Sequence, residues 1–453
     1  MEAIIEKQKE FFSSNATKPI SFRIGQLKKL QSVLKKYEPL LAQAISQDYG
    51  KGSFNTFLTE FTGIYDDIIK TIKKLRKWAK VKRVGTNMLN VPGTCYVIPE
   101  PLGVCLIIGA WNYPVNLTIA PAIGAIAAGN TVVIKPSELA SHTSEGLAKM
   151  IRENFDPSFF TVVEGGVEET TQLLAQKFDK IFFTGSVAVG RIVYQAAAKN
   201  LIPVTLELGG KSPLIVAPDA NLKICAKRLV WGKYANAGQT CIAPDYMMVQ
   251  KSIEKPFLEI IKNEIKASQF SLANNNYAQI ISEKHLDRLV SLIPPEKIFI
   301  GGDYDRSTRF LSPTVLTNIS ADDKVMEEEI FGPILPVMTY ENIDSVIAFI
   351  KSRPKPLAFY LFTESSSLRK KILSEISFGG GSVNDVLMQF SNDKFPFGGV
   401  GLSGTGSYHG EAGFTSFSHF KGVLLKPTWF EFPFKYYPYT KWKSNMIKRI
   451  IGI

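Results

Sequence analysis

From Gly103 onward, short β-rich runs alternate with helix-length segments. The runs are Val104–Ile108, Thr131–Ile134, Phe160–Val163, Lys180–Phe183 and Val204–Leu206. This alternation predicts an α/β fold with a doubly wound parallel sheet, because parallel strands need a crossover element between them. After Gly209 a second βα pattern starts with Leu214–Ala217 and a helix through Trp231, and it continues past Cys241 to about Phe395. A chain of 453 residues, 45% of them apolar, can fill the two or three cores this requires.

Ahead of the sheet, Leu27, Leu30, Leu34, Tyr37, Leu41 and Ile45 recur every three or four residues and predict an amphipathic helix. A second helix to about Val81 carries Ile69, Ile72, Leu75 and Trp78 among eight basic residues from Lys70 to Arg83, which read as a solvated face. Val91-Pro92-Gly93-Thr94 marks a turn between two extended runs, a hairpin that leaves the main body. Gly103–Val133 is apolar enough to suggest a membrane span, but Trp111-Asn112-Tyr113-Pro114, Pro121 and the glycines break it into strand, loop and helix.

The net charge is +12, yet the sequence carries no nucleic-acid-binding motif, so nucleic acid is not an expected partner. From Lys426 onward, six basic residues are interleaved with Trp429, Phe430, Phe432, Phe434, Tyr436, Tyr437, Tyr439 and Trp442. That tail reads either as a peripheral membrane contact or as a packed arm. Four cysteines without paired spacing and four scattered histidines exclude a disulfide framework and a metal cluster. With the charged start Met1–Glu10, they point to a reducing, cytoplasmic setting, with the tail at a membrane as the alternative.

Chemistry is concentrated in a few places. Cys241, in Gly238-Gln239-Thr240-Cys241-Ile242-Ala243-Pro244, is a thiol among small and polar residues, suited to a cleft floor; alone it could equally be a core thiol. Glu207, flanked by Leu206 and Leu208 and followed by Gly209-Gly210, can be desolvated enough to act as a base near neutral pH. The domain break falls between these two residues, so a site in the interdomain crevice is expected. Gly185-Ser186-Val187-Ala188-Val189-Gly190 follows one strand and precedes a helix-forming run, Arg191–Ala198. It reads as a pyrophosphate-binding turn or as a plain structural one. Lys135 and Glu138 follow the Thr131–Ile134 strand, where ligands bind in such sheets; a helix-capping Ser137 with an incidental glutamate is the alternative.

The Cys241 and Glu207 stretches resemble the active-site signatures of the aldehyde dehydrogenase superfamily. Further motifs match in order: Trp111-Asn112-Tyr113-Pro114, Ile134-Lys135-Pro136-Ser137-Glu138, Phe183-Thr184-Gly185-Ser186, Glu328-Glu329-Ile330-Phe331-Gly332-Pro333 and Pro396-Phe397-Gly398-Gly399. The resemblance runs from about residue 20 to about 425, and Ser407-Tyr408-His409-Gly410 makes the chain most similar to the class 3 branch. It implies oxidation of a medium- or long-chain aliphatic or an aromatic aldehyde by NAD, with NADP also accepted, in a pocket lined from loops near Tyr65, Trp111, Tyr113 and Thr240–Ile242. Cys241 would be the nucleophile, Glu207 the base that hydrolyses a thioester, and Asn112 an oxyanion donor beside the Cys241 amide. Lys135 and Glu138 would hold the adenosine ribose and 185–190 the pyrophosphate, while Glu329 would grip the nicotinamide ribose and Phe331 pack the ring.

The organisation it implies is a cofactor domain over 1–208, a catalytic domain over 209–395, a return segment over 396–425 and a tail over 426–453. Hairpin 84–101 and a returning strand near 412–425 would form a small β oligomerisation flap, and with it a homodimer. Two other readings compete. A thiol hydrolase using Cys241 and Glu207 leaves the 185–190 turn and Lys135 unexplained; a catalytically silent interaction protein leaves Cys241, Glu207 and Asn112 unexplained.

Overall fold

Every side chain of the Val104–Ile108 strand is buried, and alternate ones enter different layers. Val104, Leu106 and Ile108 pack with Val193 and Ala197 of the Val187–Ala198 helix, whereas Cys105 and Ile107 face the core of the Ile20–Tyr49 and Asn116–Ala128 helices. A strand buried on both faces needs helices on both sides, which is the doubly wound arrangement. In this computed structural model of residues 1–453, the first sheet runs in the order 204–207, 180–184, 104–108, 131–135 and 160–162. All five strands are parallel, with Gly404–Thr405 added antiparallel beside Val204–Glu207. The winding direction reverses between Val104–Ile108 and Lys180–Thr184, so the open crevice lies beyond their carboxyl ends.

The second sheet is ordered 298–300, 314–316, 334–340, 246–250, 213–216, 358–362 and 380–383, parallel except at the first pair. Gly103–Val133 divides into strand, loop and helix as its punctuation requires. The third sheet joins Lys82–Val84, Thr94–Pro101 and Ser418–Leu425. Here the returning strand starts at Ser418; Gly410–Ser416 is a helix whose Phe414 is buried against Trp78. The six apolar positions from Leu27 to Ile45 are all buried in the Ile20–Tyr49 helix. In the Thr62–Trp78 helix the buried stripe is Ile64, Ile68, Thr71, Leu75 and Trp78, so Ile69 faces outward. Lys70 and Lys74 are not merely solvated: both pair with Asp393, at 2.9 and 2.6 Å.

Candidate active site

Three consecutive residues with positive φ, Asn236, Ala237 and Gly238, turn the chain between the Leu222–Tyr234 helix and Cys241. A Cβ on Gly238 would lie 2.3 Å from the Gly332 carbonyl oxygen, so glycine lets this turn abut the segment that carries Glu329 and Phe331. Side-chain amides lock it: Gln239 donates to the Asn236 and Gln279 carbonyls and accepts from the Ile281 amide. Asn112 docks here as well, its Nδ2 donating to the Gln239 carbonyl at 3.1 Å while its own carbonyl accepts from Asn236 Nδ2 at 3.0 Å. Next to it, the Tyr113 hydroxyl lies 2.6 Å from Thr240 Oγ1. The Asn112 loop of the first sheet is thus brought onto the Cys241 loop of the second.

Cys241 is half-buried on a cavity of about 1280 Å³. Burial raises its thiol pKa, helped by the Glu329 and Glu207 carboxylates and opposed by the Cys241 and Ile242 amides. Glu207 ends its strand 3% exposed, with neither carboxylate oxygen hydrogen-bonded, and burial alone lifts its pKa well above the carboxylate range. Tyr408, fully buried with an unpartnered hydroxyl, feels both groups. The sequence reading used Tyr408 only as part of a class marker.

Of the run Glu327-Glu328-Glu329, only Glu329 turns inward; the other two are exposed. Its carboxyl pKa is pushed up to about 8 by burial and by Asp245, against the Gly210 amide, Lys211 and Lys233. Gly209 makes the room, since a Cβ there would sit 1.8 Å from Glu329 Oε2. Lys211 fixes the loop before Glu329, donating to Asp245 at 2.5 Å and to the Val325 and Glu328 carbonyls. Asp245 also accepts from the Ile330 amide. Phe331 has a φ of 52° and meets the Trp111 ring edge-on at 5.3 Å; its carbonyl accepts from His285.

At the crevice of the first sheet, the helix begins at Val187, earlier than its sequence suggested, with Ser186 capping the Val189 amide. The Val187 and Ala188 amides precede the first intrahelical bond, Gly190 to Ser186, and so have no intrahelical partner. Gly190 is a packing glycine, its missing Cβ only 2.6 Å from Leu208, while Gly185 sits over the Phe183 ring. Lys135, at the end of the Thr131–Lys135 strand on the other side of Val104–Ile108, pairs with Glu138 at 2.8 Å.

The cavity wall next to Cys241 includes Tyr113, Thr240 and Ile242 as expected. Tyr65 and Trp111, also expected there, are elsewhere: Tyr65 is bonded to Glu38, and Trp111 packs on Phe331 and His285. The apolar lining comes instead from Leu58, from Ile224 and Trp231, and from Leu387, Phe390 and Phe397, three separate segments of which only Phe397 falls in a recognised motif.

Residues 1–423 match the family model described as "Aldehyde dehydrogenase family". The chain is 46% identical over 428 residues to aldehyde dehydrogenase family 3 member A2 of Pongo abelii, covering 94% of this chain and 88% of that protein. It is 45% identical to 4,4'-diaponeurosporen-aldehyde dehydrogenase of Staphylococcus aureus, covering 97% and 96% of the two chains. A solved structure described as the substrate-bound state of Staphylococcus aureus AldH superposes with a TM-score of 0.97 at 44% identity, over 99% of each chain. An oxidoreductase crevice, a thiol facing a buried carboxyl and a near-complete match in sequence and fold converge: the chain is an NAD(P)-dependent member of the aldehyde dehydrogenase family, in its class 3 branch.

Proposed function

We propose that this chain oxidises long apolar aldehydes to carboxylic acids through a covalent bond to Cys241. The observation that carries the reading is Cys241 on an apolar cavity within electrostatic reach of Glu207, a buried carboxyl without a hydrogen bond. The cofactor fits the crevice. Amides of Val187 and Ala188 at the helix start would take the pyrophosphate, with Gly185 and Ser186 before them and Val189 and Gly190 within the turn. Lys135 and Glu138 would hold the adenosine ribose, and Glu329 with Phe331 the nicotinamide end. Bound NAD(P)⁺ supplies the acceptor for the hydride that leaves the substrate carbon.

The chain's own groups do the rest. The Cys241 thiol gives up its proton to water in the open cavity and, as the thiolate that the Cys241 and Ile242 amides favour, attacks the carbonyl carbon, forming an S–C bond and sending an electron pair to oxygen. Asn112 Nδ2 has a second N–H beyond the one given to Gln239, and with the Cys241 amide it would stabilise that oxyanion. Loss of the hydride leaves a thioester. Glu207 then takes a proton from water as it attacks, and the S–C bond breaks to release the acid. Cys241→Ala is expected to abolish turnover while cofactor binding persists; turnover within tenfold of the wild type refutes the reading. In an aliphatic series read by NADH absorbance, kcat/KM is expected to rise roughly fourfold per methylene, from about 0.8 kcal/mol of burial each, until the cavity is filled. A flat series refutes the long-chain assignment.

The same reading assigns cofactor binding to 1–208, the nucleophile to 209–395, and assembly to hairpin 84–101 with the return segment 396–425. A homodimer is inferred from the flap, and one relative, from Mus musculus, is described as dimeric and NADP-preferring. The Glu138 carboxylate would repel a 2′-phosphate, so NAD is assigned as the favoured cofactor here. A cytoplasmic enzyme held at a membrane surface by the tail 426–453 is the corresponding placement.

A further inference from the structure

Behind the Asn112–Tyr113 turn lies a buried ion pair that the reaction as written does not use. Lys51 and Glu60 are both fully buried, with Lys51 Nζ 3.8 Å from Glu60 Oε1. The ammonium has no hydrogen-bond acceptor; it sits over the Tyr113 ring at 4.4 Å and near the Tyr49 ring at 5.8 Å. Burial pushes the Lys51 pKa down to about 8 and the Glu60 carboxyl up. Such a pair contributes little net stability compared with well-packed apolar residues, so its presence asks for another reason.

Its connections supply one. Glu60 lies in a five-residue π-turn, Phe57–Phe61, a backbone irregularity often found at functional sites. Its Oε2 accepts from the Asn116 amide at 2.9 Å, with the Val115 amide also donating to this carboxylate. It therefore holds the start of the Asn116–Ala128 helix, four residues past Asn112. Tyr49, last in the Ile20–Tyr49 helix, places its hydroxyl 3.2 Å from the Asn112 carbonyl and 3.5 Å from Glu60 Oε1. Lys51 covers the ring whose hydroxyl meets Thr240, the neighbour of Cys241. These contacts end on the turn that carries Asn112 or on the start of the helix that follows it, and none on Cys241 itself.

We infer that Lys51, Glu60 and Tyr49 are positioning residues that fix Asn112 against the Cys241 loop, so that its free N–H is aimed before the oxyanion forms. This deepens the proposed function and rests on it. The test is a double-mutant cycle on kcat/KM with Asn112→Ala, using Lys51→Met/Glu60→Gln, which removes both charges together and strands neither. In the native background the paired variant is expected to lower kcat/KM ten- to hundredfold, chiefly through kcat, with the KM for NAD within twofold. In the Asn112→Ala background the same change is expected to cost less than threefold, because the group being aimed is gone. An equal loss in both backgrounds, or a loss under threefold in the native one, overturns the inference. Should the paired variant fail to fold, Tyr49→Phe removes one hydroxyl alone: a three- to tenfold loss that vanishes beside Asn112→Ala supports positioning, and unchanged turnover overturns it. If Cys241→Ala stays active, the underlying reading fails; if it is dead and the cycle is additive, only the positioning role does.

Discussion

At the scale of single residues, Glu207 makes the sharpest demand. Burial shifts its carboxyl toward the protonated form, so its action as a base should strengthen as pH rises. Turnover limited by hydrolysis should therefore climb with pH, and Glu207→Gln should remove that dependence, leaving an NADH burst followed by a slow steady rate. A variant with no burst would move Glu207 to thiol activation instead. Linkage gives the stability counterpart: a raised acid pKa binds its proton more tightly in the folded state, so stability falls as pH climbs from the unfolded value, and Glu207→Gln should flatten that slope in unfolding curves. Glu138, paired with Lys135, would be the corresponding residue for cofactor choice. Its replacement by alanine should narrow the NAD-over-NADP ratio of kcat/KM by one to two decades, roughly, since one charged contact is worth about 1.5–3 kcal/mol; an unchanged ratio places it away from the ribose. Cys241 and Glu207 were legible because their immediate neighbours already suit an exposed thiol and a desolvated carboxyl. Lys51, Glu60 and Tyr408 were not, because each looks ordinary until tertiary contacts bury it.

At the scale of elements, the alternating strands were readable because a strand buried on both faces is built on a continuous apolar run, as Val104–Ile108 and Val132–Ile134 are. Boundaries set by contacts outside the segment were less so. The helix after Ser186 starts at Val187 because a side-chain cap and the packing of Gly190 on Leu208 permit it, while Gly410–Ser416 is helical where its sequence suggested strand. The inward choice of Glu329 was hidden too, since it depends on Gly209 at the end of a different domain's strand. This junction is testable. Gly209 has ordinary backbone angles, so Gly209→Ala strains nothing locally, but its Cβ would occupy the space of the Glu329 carboxylate. Affinity for NAD, measured by calorimetric titration, should fall at least tenfold with the unfolding midpoint little changed. Affinity within twofold of the wild type would mean that Glu329 does not grip the cofactor.

At the scale of the whole molecule, the flap and the tail present surface that the chain leaves uncovered. The Ser418–Leu425 strand lies at the sheet edge and exposes Phe420, Val423, Leu424 and Leu425. An apolar edge strand is a template for pairing with another chain, and a three-stranded flap gains stability by being covered. A second copy would supply that cover symmetrically. The tail is different: its Lys441–Ile451 helix buries no residue, and Trp429, Tyr437 and Trp442 stand exposed among lysines. No helix here is long and apolar enough to cross a membrane, so the contact open to this tail is an interfacial one. Light scattering should report a dimer both for the full chain and for a chain ending at Lys426, because the flap precedes the cut. Flotation with anionic liposomes should be lost on truncation, and should weaken with added salt, since basic residues at an anionic surface are screened within a Debye length. A monomeric full chain refutes the flap as a dimer interface, and flotation that survives the truncation refutes the tail as the membrane contact.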